Sequence, residues 1–317
     1  MQFRRYGSEG PMVSVLAFGA MGIAHDPGLH HGVSRSLLLA LERGVNLIDT
    51  ARVYHQSEEI VARTLEQWRG DKPIISTKLA PANREGFRFG GPIADYYARA
   101  DIIASVETSL KTLRTERLDI VHLHQWHYRW THEHEWIEAL CDLRRQGKID
   151  RIAISGQDHE HDALLEVLGT DRVDGVQIIL NLFESRPMNS LLPRAASRGV
   201  GVIARCVLDS GGLAVPLADS EFAGRPFLKH APTAEYRRRV TRLMQRFLPG
   251  EAASLADLAI RFALSNSAVS SMTLGLAGTA QVEAAINAVE AGPLSEGAID
   301  EIRRHHVWTK NFYEALV

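Results

Sequence analysis

Short apolar runs alternate along this chain with stretches in which apolar residues return every three or four positions. The first run covers residues 13–18 and ends in Gly19-Ala20-Met21-Gly22. Later runs cover 45–49, 73–78, 118–124, 151–155, 175–179, 200–204 and 269–274. All are brief and continuously apolar, the pattern of parallel strands buried on both faces. Between them lie helical patterns. Ser34 is placed to cap a helix carrying Leu37, Leu38 and Leu41 on one face, stopped by Gly44. From Ser57 a second helix puts Glu58 and Glu59 in its first turn and buries Ile60, Val61, Leu65 and Trp68. Asp101 caps a third, with Ile102, Ile103, Val106, Leu110 and Leu113 at helical spacing. A fourth runs through Trp136, Ile137, Leu140 and Leu143 to Gly147, and others are expected at 163–168, 190–198, 233–247, 254–265, 279–289 and 295–305.

Eight strand–helix units predict the α/β class and, within it, a closed (β/α)8 or TIM barrel. A doubly wound sheet would show fewer strands and a glycine-rich ligand loop after the first. No Pro/Gly/Ser-rich linker interrupts the pattern, so residues 1–317 read as a single domain. With 45% hydrophobic residues the chain can bury a large core. Its formal net charge of −2 points to neither nucleic acid nor an anionic membrane as partner. The N-terminus lacks an apolar signal segment, and no apolar run approaches the ~20 residues of a membrane helix. Two distant cysteines, Cys141 and Cys206, without a CxxC pair, fit a reduced, cytoplasmic protein.

Barrel chemistry gathers at the C-terminal ends of the strands. Here those ends carry Asp49, Lys78, His124, Ser155, Gln177 and Arg205, with Tyr54 in the loop beyond Asp49. A phenol has an ordinary pKa of about 10, too high for an efficient acid near neutral pH. An ammonium beside it would lower that value, and a carboxylate would hold the ammonium in place. Tyr54, Lys78 and Asp49 supply these groups, and His124 adds a hydrogen bond to a substrate oxygen. Other signals read as bland. Gly199-x-Gly201-x-x-Ala204 fits a loose dinucleotide pattern but precedes a strand and opens no helix. The histidines at 122, 124, 127, 132 and 134 lack HExxH spacing or a cysteine partner, so no metal is expected. Cys141 reads as core, and Cys206, which follows Arg205, reads as a small core thiol in preference to one bordering the pocket.

With these residues in view, the chain resembles the aldo-keto reductase superfamily over nearly its whole length. The resemblance is carried by Gly19-Ala-Met-Gly22, Asp49-Thr-Ala-x-x-Tyr54, Ser76-Thr-Lys78, Asp119-Ile-Val-His-Leu-His124 and Gly147-Lys-Ile-x-x-Ile-Ala-Ile-Ser155. Gln177 with Asn181, Gly199-Val-Gly-Val-Ile-Ala-Arg205, and Gly275 followed by Gln281-Val-Glu283 complete it. It implies a metal-free carbonyl reductase or alcohol dehydrogenase with Tyr54 as general acid, Lys78 and Asp49 as its tuners and His124 orienting the substrate. It also implies a nicotinamide dinucleotide site at Gly19, Ala20, Met21, Asp49, Ser155, Gln177, Arg205, Cys206, Leu208, Gly211, Gly275 and Gln281. Ser155 and Gln177 would hold the carboxamide. Three departures stand out. Gly156 follows Ser155 where the family usually has Asn. Ala277 stands where a cation usually meets the 2′-phosphate, and Ala284-Ala285 replaces the Glu-Asn pair at the adenine. The family points to NADP(H); the loss of that cation brings NAD(H) close.

The expected function is reversible hydride transfer between a nicotinamide and a carbonyl or alcohol carbon of a small molecule. A cofactor-binding, redox-sensing subunit with little turnover is the alternative. A barrel lyase or isomerase would need phosphate or metal ligands that the sequence does not offer. At the substrate end, the loop 79–100 brings Arg84, Phe87, Arg88, Phe89, Tyr96 and Tyr97, and the loop 125–132 brings Trp126, His127, Tyr128, Arg129 and Trp130. Aromatic faces and arginines suit a ringed, polar or anionic substrate such as a sugar or a natural-product intermediate. Trp126 and Arg129, which follow His124 most closely, are expected to touch it.

Overall fold

The computed structural model describes residues 1–24, 30–83, 90–218, 221–222, 228 and 231–309. An antiparallel hairpin, β1 (Phe3–Arg5) and β2 (Met12–Ser14), precedes the barrel. The barrel strands are β3 (Leu16–Gly19), β4 (Leu47–Asp49), β5 (Ile74–Leu79), β6 (Leu118–Leu123), β7 (Ile149–Ser155), β8 (Gly175–Ile179), β9 (Gly201–Arg205) and β10 (Ser271–Gly275). They close in sequence order with every neighbour parallel, β10 returning to β3. This is the (β/α)8 barrel that the alternation of apolar runs predicts, built as one domain. No helix among the described residues is long and apolar enough to cross a membrane.

The run 13–18 is not one strand. Ser14 breaks it: its hydroxyl donates to Leu16 O at 2.6 Å, its N–H donates to Asn46 Oδ1, and its carbonyl accepts from Ser271 Oγ. Such local bonds compete with a continuous ladder, so residues 12–14 pair in the hairpin and only Leu16–Gly19 joins the barrel. Two helices also begin before their expected caps, at His30–Glu42 and Arg99–Leu113. Ser34 sits inside the first, where its hydroxyl accepts from Thr64 Oγ1. The stretch expected as a helix at 163–168 forms two 3-10 turns, His161–Leu164 and Val167–Gly169, being too short to sustain an α-helix.

The hairpin seals the barrel floor. Tyr6, just past β1, is buried among Val13, Ala17, Leu47, Ile120, Ala153 and Ile203. A Cβ on Gly175 would be driven into its hydroxyl, and one on Gly201 into its ring. Both strands therefore carry glycine where the plug enters. Gly175→Ala is expected to cost about 1–3 kcal/mol of stability by overpacking, read as a lower urea midpoint at unchanged slope. Adding Tyr6→Phe, which withdraws the hydroxyl, should recover part of the loss.

Candidate active site

At the opposite end of the barrel, β4 finishes on Asp49 and β5 carries Lys78 one residue before its end. Lys78 Nζ lies 2.8 Å from each oxygen of Asp49 and 2.9 Å from the Thr50 carbonyl. The lysine is 1% exposed and the aspartate 4%. Burial opposes the charge on Lys78, but Asp49 and then Tyr54 outweigh it, so its pKa lies above the ordinary value. Two more groups donate to Asp49 Oδ1: Ser76 Oγ at 3.0 Å and Gln177 Nε2 at 3.1 Å. A bidentate ammonium with two further donors leaves this carboxylate well satisfied for so buried a charge.

The loop after β4 folds back through short turns. Tyr54 N–H donates to Ala51 O, Ser57 N–H donates to Tyr54 O, and Ser57 Oγ reaches Ala20 O at 3.0 Å. These bonds set the Tyr54 ring over Lys78, with Nζ 5.2 Å from its centroid. The His124 ring meets Tyr54 edge to face at 5.7 Å. The four residues expected to work together thus converge. One detail differs: burial pushes the Tyr54 phenol above its ordinary value, while Lys78 pulls it back and Asp49 adds to the rise. Lys78 acts in the expected direction without reversing the effect of burial.

Ser155, at the end of β7, and Gln177, in the middle of β8, are register partners. Both are buried, and Ser155 Oγ makes no hydrogen bond among the described residues. Gln177 gives an amide proton to Asp49, which turns its carbonyl oxygen the other way. Asn181 is used within the protein: its amide donates to Cys206 O, and its oxygen accepts from the Phe183 and Glu184 backbone. Gly19 lies where β3 presses on β10, and a Cβ there would come within 2.7 Å of Thr273 Oγ1. Ala20 is buried beside it and Met21 is exposed. Gly275 and Gly278 face open space. Gln281 turns back onto this loop, its oxygen accepting from the N–H groups of Ala277 and Gly278.

Arg205 anchors a loop. Its Nη2 reaches Gly156 O at 2.9 Å and Asp158 Oδ1 at 2.8 Å, tying the end of β9 to the loop after β7. Beyond it, Cys206, Asp209, Ser210 and Gly211 all have positive φ, while Leu208 is half-buried. Such a run of left-handed residues is costly unless the surroundings fix it. Here Tyr236, from the helix Thr233–Phe247, donates to Asp209 Oδ2 at 2.7 Å.

The loop aromatics mostly pack. Trp126 is fully buried, its ring 5.1 Å from Trp136 and 5.9 Å from Trp130. This corrects the expectation that it touches substrate, because three tryptophans meeting edge to face form their own core. Tyr96 and Tyr97 close on Trp130 as well. Arg129 is exposed and its guanidinium donates to Gly90 O at 3.0 Å. Tyr128, 55% exposed, is the aromatic of this loop open to solvent. Arg84, Phe87, Arg88 and Phe89 lie outside the described residues. Ser76, His122, Asp158, Asp209 and Tyr236 carry contacts that sequence reasoning did not assign. Glu58, expected as a first-turn helix charge, is buried and accepts from Thr77 and Ser109.

Comparison with known proteins agrees with the barrel fold. The model of the aldo/keto reductase family matches residues 15–306. L-galactose dehydrogenase of Arabidopsis thaliana is 26% identical over 95% of this chain and 93% of its own length. A probable voltage-gated potassium channel subunit beta of the same plant is 28% identical over 93% of each chain. The holo form of aldo-keto reductase AKR11C1 from Bacillus halodurans aligns with a TM-score of 0.78 at 26% identity, covering 98% of this chain and 99% of that one. A family match over most of the barrel, on the fold and strand ends described above, places the chain in the aldo/keto reductase family.

Proposed function

We propose that this protein is an NAD(P)(H)-dependent oxidoreductase that interconverts a carbonyl and an alcohol, with Tyr54 as general acid and base. One observation carries the reading: Lys78 Nζ sits between both Asp49 oxygens and the face of Tyr54. The site fits a nicotinamide. Its carboxamide has an NH2 donor group and a carbonyl acceptor, and Ser155 and Gln177, register partners on β7 and β8, bring a hydroxyl and an amide oxygen to meet them. When bound, the nicotinamide supplies or accepts the hydride. Tyr54 gives its proton to the carbonyl oxygen in reduction and takes it back in oxidation. Lys78 steadies the phenolate, Asp49 holds Lys78, and His124 orients the oxygen. We assign the rest of the dinucleotide to the segments that carry Gly19, Ala20, Met21, Asp49, Arg205, Cys206, Leu208, Gly211, Gly275 and Gln281.

For the substrate we favour a ringed, polar carbonyl compound. L-galactose dehydrogenase is by its name a sugar enzyme, and Tyr128 and Arg129 offer an exposed aromatic face and a cation on the loop after β6. The test is consumption of NADH and NADPH, followed by absorbance, with sugars, ketones and aldehydes. No turnover with any of them would favour the sensing alternative suggested by the channel-subunit relative.

Cofactor choice can be predicted too. Ala277 and Gly278 bring no cation, Gln281 already accepts from their N–H groups, and Arg43 is paired with Glu283 at 2.7 Å. We keep NADP(H) first with NAD(H) close behind. Their dissociation constants should differ by less than about a hundredfold, or ~2.7 kcal/mol. Calorimetric titration showing a larger gap in favour of NADPH would refute weak discrimination.

A further inference from the structure

His122 has no part in the chemistry just described, yet it lies directly beneath it. It projects from β6, is fully buried, and holds Nε2 3.1 Å from Ser76 Oγ. Ser76 Oγ is in turn 3.0 Å from Asp49 Oδ1. The serine has one hydroxyl proton and two neighbours able to accept it. Both Asp49 oxygens accept from Lys78, so the carboxylate has no proton to offer in return. Were Ser76 to donate to His122, an oxygen lone pair would face the buried carboxylate at 3.0 Å, and a hydrogen bond to a charge would be lost. The proton therefore goes to Asp49, and His122 Nε2 must carry a hydrogen of its own.

The other ring nitrogen agrees. Nδ1 is buried and makes no hydrogen bond. The Ile154 carbonyl acts on the ring only as the smallest of four influences, without hydrogen-bond geometry to Nδ1. A buried acceptor without a partner is tolerated more often than a buried N–H without one. Burial first, and Lys78 second, push the imidazole down to about 3, so it is neutral at physiological pH.

We propose that His122 is a positioning residue: neutral and protonated on Nε2, it aims the Ser76 hydroxyl at Asp49 and so keeps that carboxylate turned toward Lys78. The titratable groups acting on this centre are Lys78 on β5, His122 on β6, Tyr54 beyond β4 and Tyr6 from the hairpin. The effect on turnover rests on the functional reading above; the tautomer does not.

Two measurements test it. In histidine-15N-labelled wild type, with His122→Gln identifying the signals, the nonprotonated nitrogen should be Nδ1, with no titration between about pH 5 and 8. A proton on Nδ1, or an imidazolium in that range, overturns the proposal. The second is the pH profile of kcat/KM for carbonyl reduction. Ser76→Ala, which removes the hydroxyl donated to Asp49, should move its acid limb up by about one pH unit, the bias of one charge-assisted hydrogen bond. His122→Leu, which removes only the donor behind that hydroxyl, should move it the same way by a smaller, measurable amount. His122→Gln, whose amide N–H reaches toward the place of Nε2–H, should restore it. Adding His122→Leu to Ser76→Ala should move the limb no further, because the histidine acts through the serine. An unmoved limb in His122→Leu, or additive shifts in the double variant, refutes the role. A wild type inactive with every carbonyl defeats the functional reading instead, and the nitrogen signals still decide the tautomer.

Discussion

Tyr54→Phe should lose about 10²–10⁴-fold in carbonyl reduction, the usual worth of general acid catalysis, while the dinucleotide still binds. The ring has its own packing, over Lys78 Nζ at 5.2 Å and edge to face with His124 at 5.7 Å, so phenylalanine keeps the shape and loses only the proton. Burial raises the phenol pKa, and Lys78 pulls it part of the way back. In wild type the proton is therefore in place throughout the neutral range. Reduction should be flat there, whereas oxidation, which needs the phenolate, should climb with pH well into the alkaline range. Single-turnover kinetics and a fluorescence titration of the dinucleotide separate chemistry from binding. Near-wild-type turnover in the Phe variant would end the proposed mechanism.

Asp49, Lys78 and His124 were legible in the sequence because a barrel fixes where strand ends point. Once each strand is located, the residues within one position of its C-terminal end are brought to the mouth, and register then sets Ser155 opposite Gln177. Contacts inside the barrel were not legible in the same way. That His122 reaches Ser76 depends on the offset between β5 and β6, which pairs Lys78 with His122 and Ser76 with Ile120, and no periodicity reveals such an offset. The plug at Tyr6 was hidden for a related reason. Residues 3–5, Phe-Arg-Arg, are too short and too charged to register as a hydrophobic run, and their hairpin is defined by pairing. Trp126 misled because nearness to His124 in sequence suggested nearness to substrate. Its burial is decided by Trp130 and Trp136, which arrive from the 3-10 turn Tyr128–His132 and the helix Glu135–Arg145. Arg205 was placed correctly at the end of β9, but its partner Asp158 belongs to a loop whose shape only the fold supplies.

Lys78→Met should damage the protein in two separable ways. The first is stability. Asp49 would keep Ser76 and Gln177 as donors but lose its cation while almost fully buried. Stranding one partner of a buried pair typically costs about 3–5 kcal/mol. The folded-state pKa of Lys78 lies above its ordinary value of 10.5. Its contribution in wild type is therefore fully present below that value and is lost only as pH rises through the higher folded one. The deficit should then be constant across the neutral range in urea titrations. Lys78→Met combined with Asp49→Asn, which leaves no buried charge, should recover much of it. The second effect is chemical, and the double variant should not recover it. Without the ammonium, nothing of comparable weight offsets the burial of Tyr54, and the phenol pKa rises further. Alcohol oxidation should therefore fall more than carbonyl reduction, and its rise with pH should move to more alkaline values. An oxidative pH profile that matches wild type in position would mean that Lys78 holds Asp49 in place without tuning Tyr54.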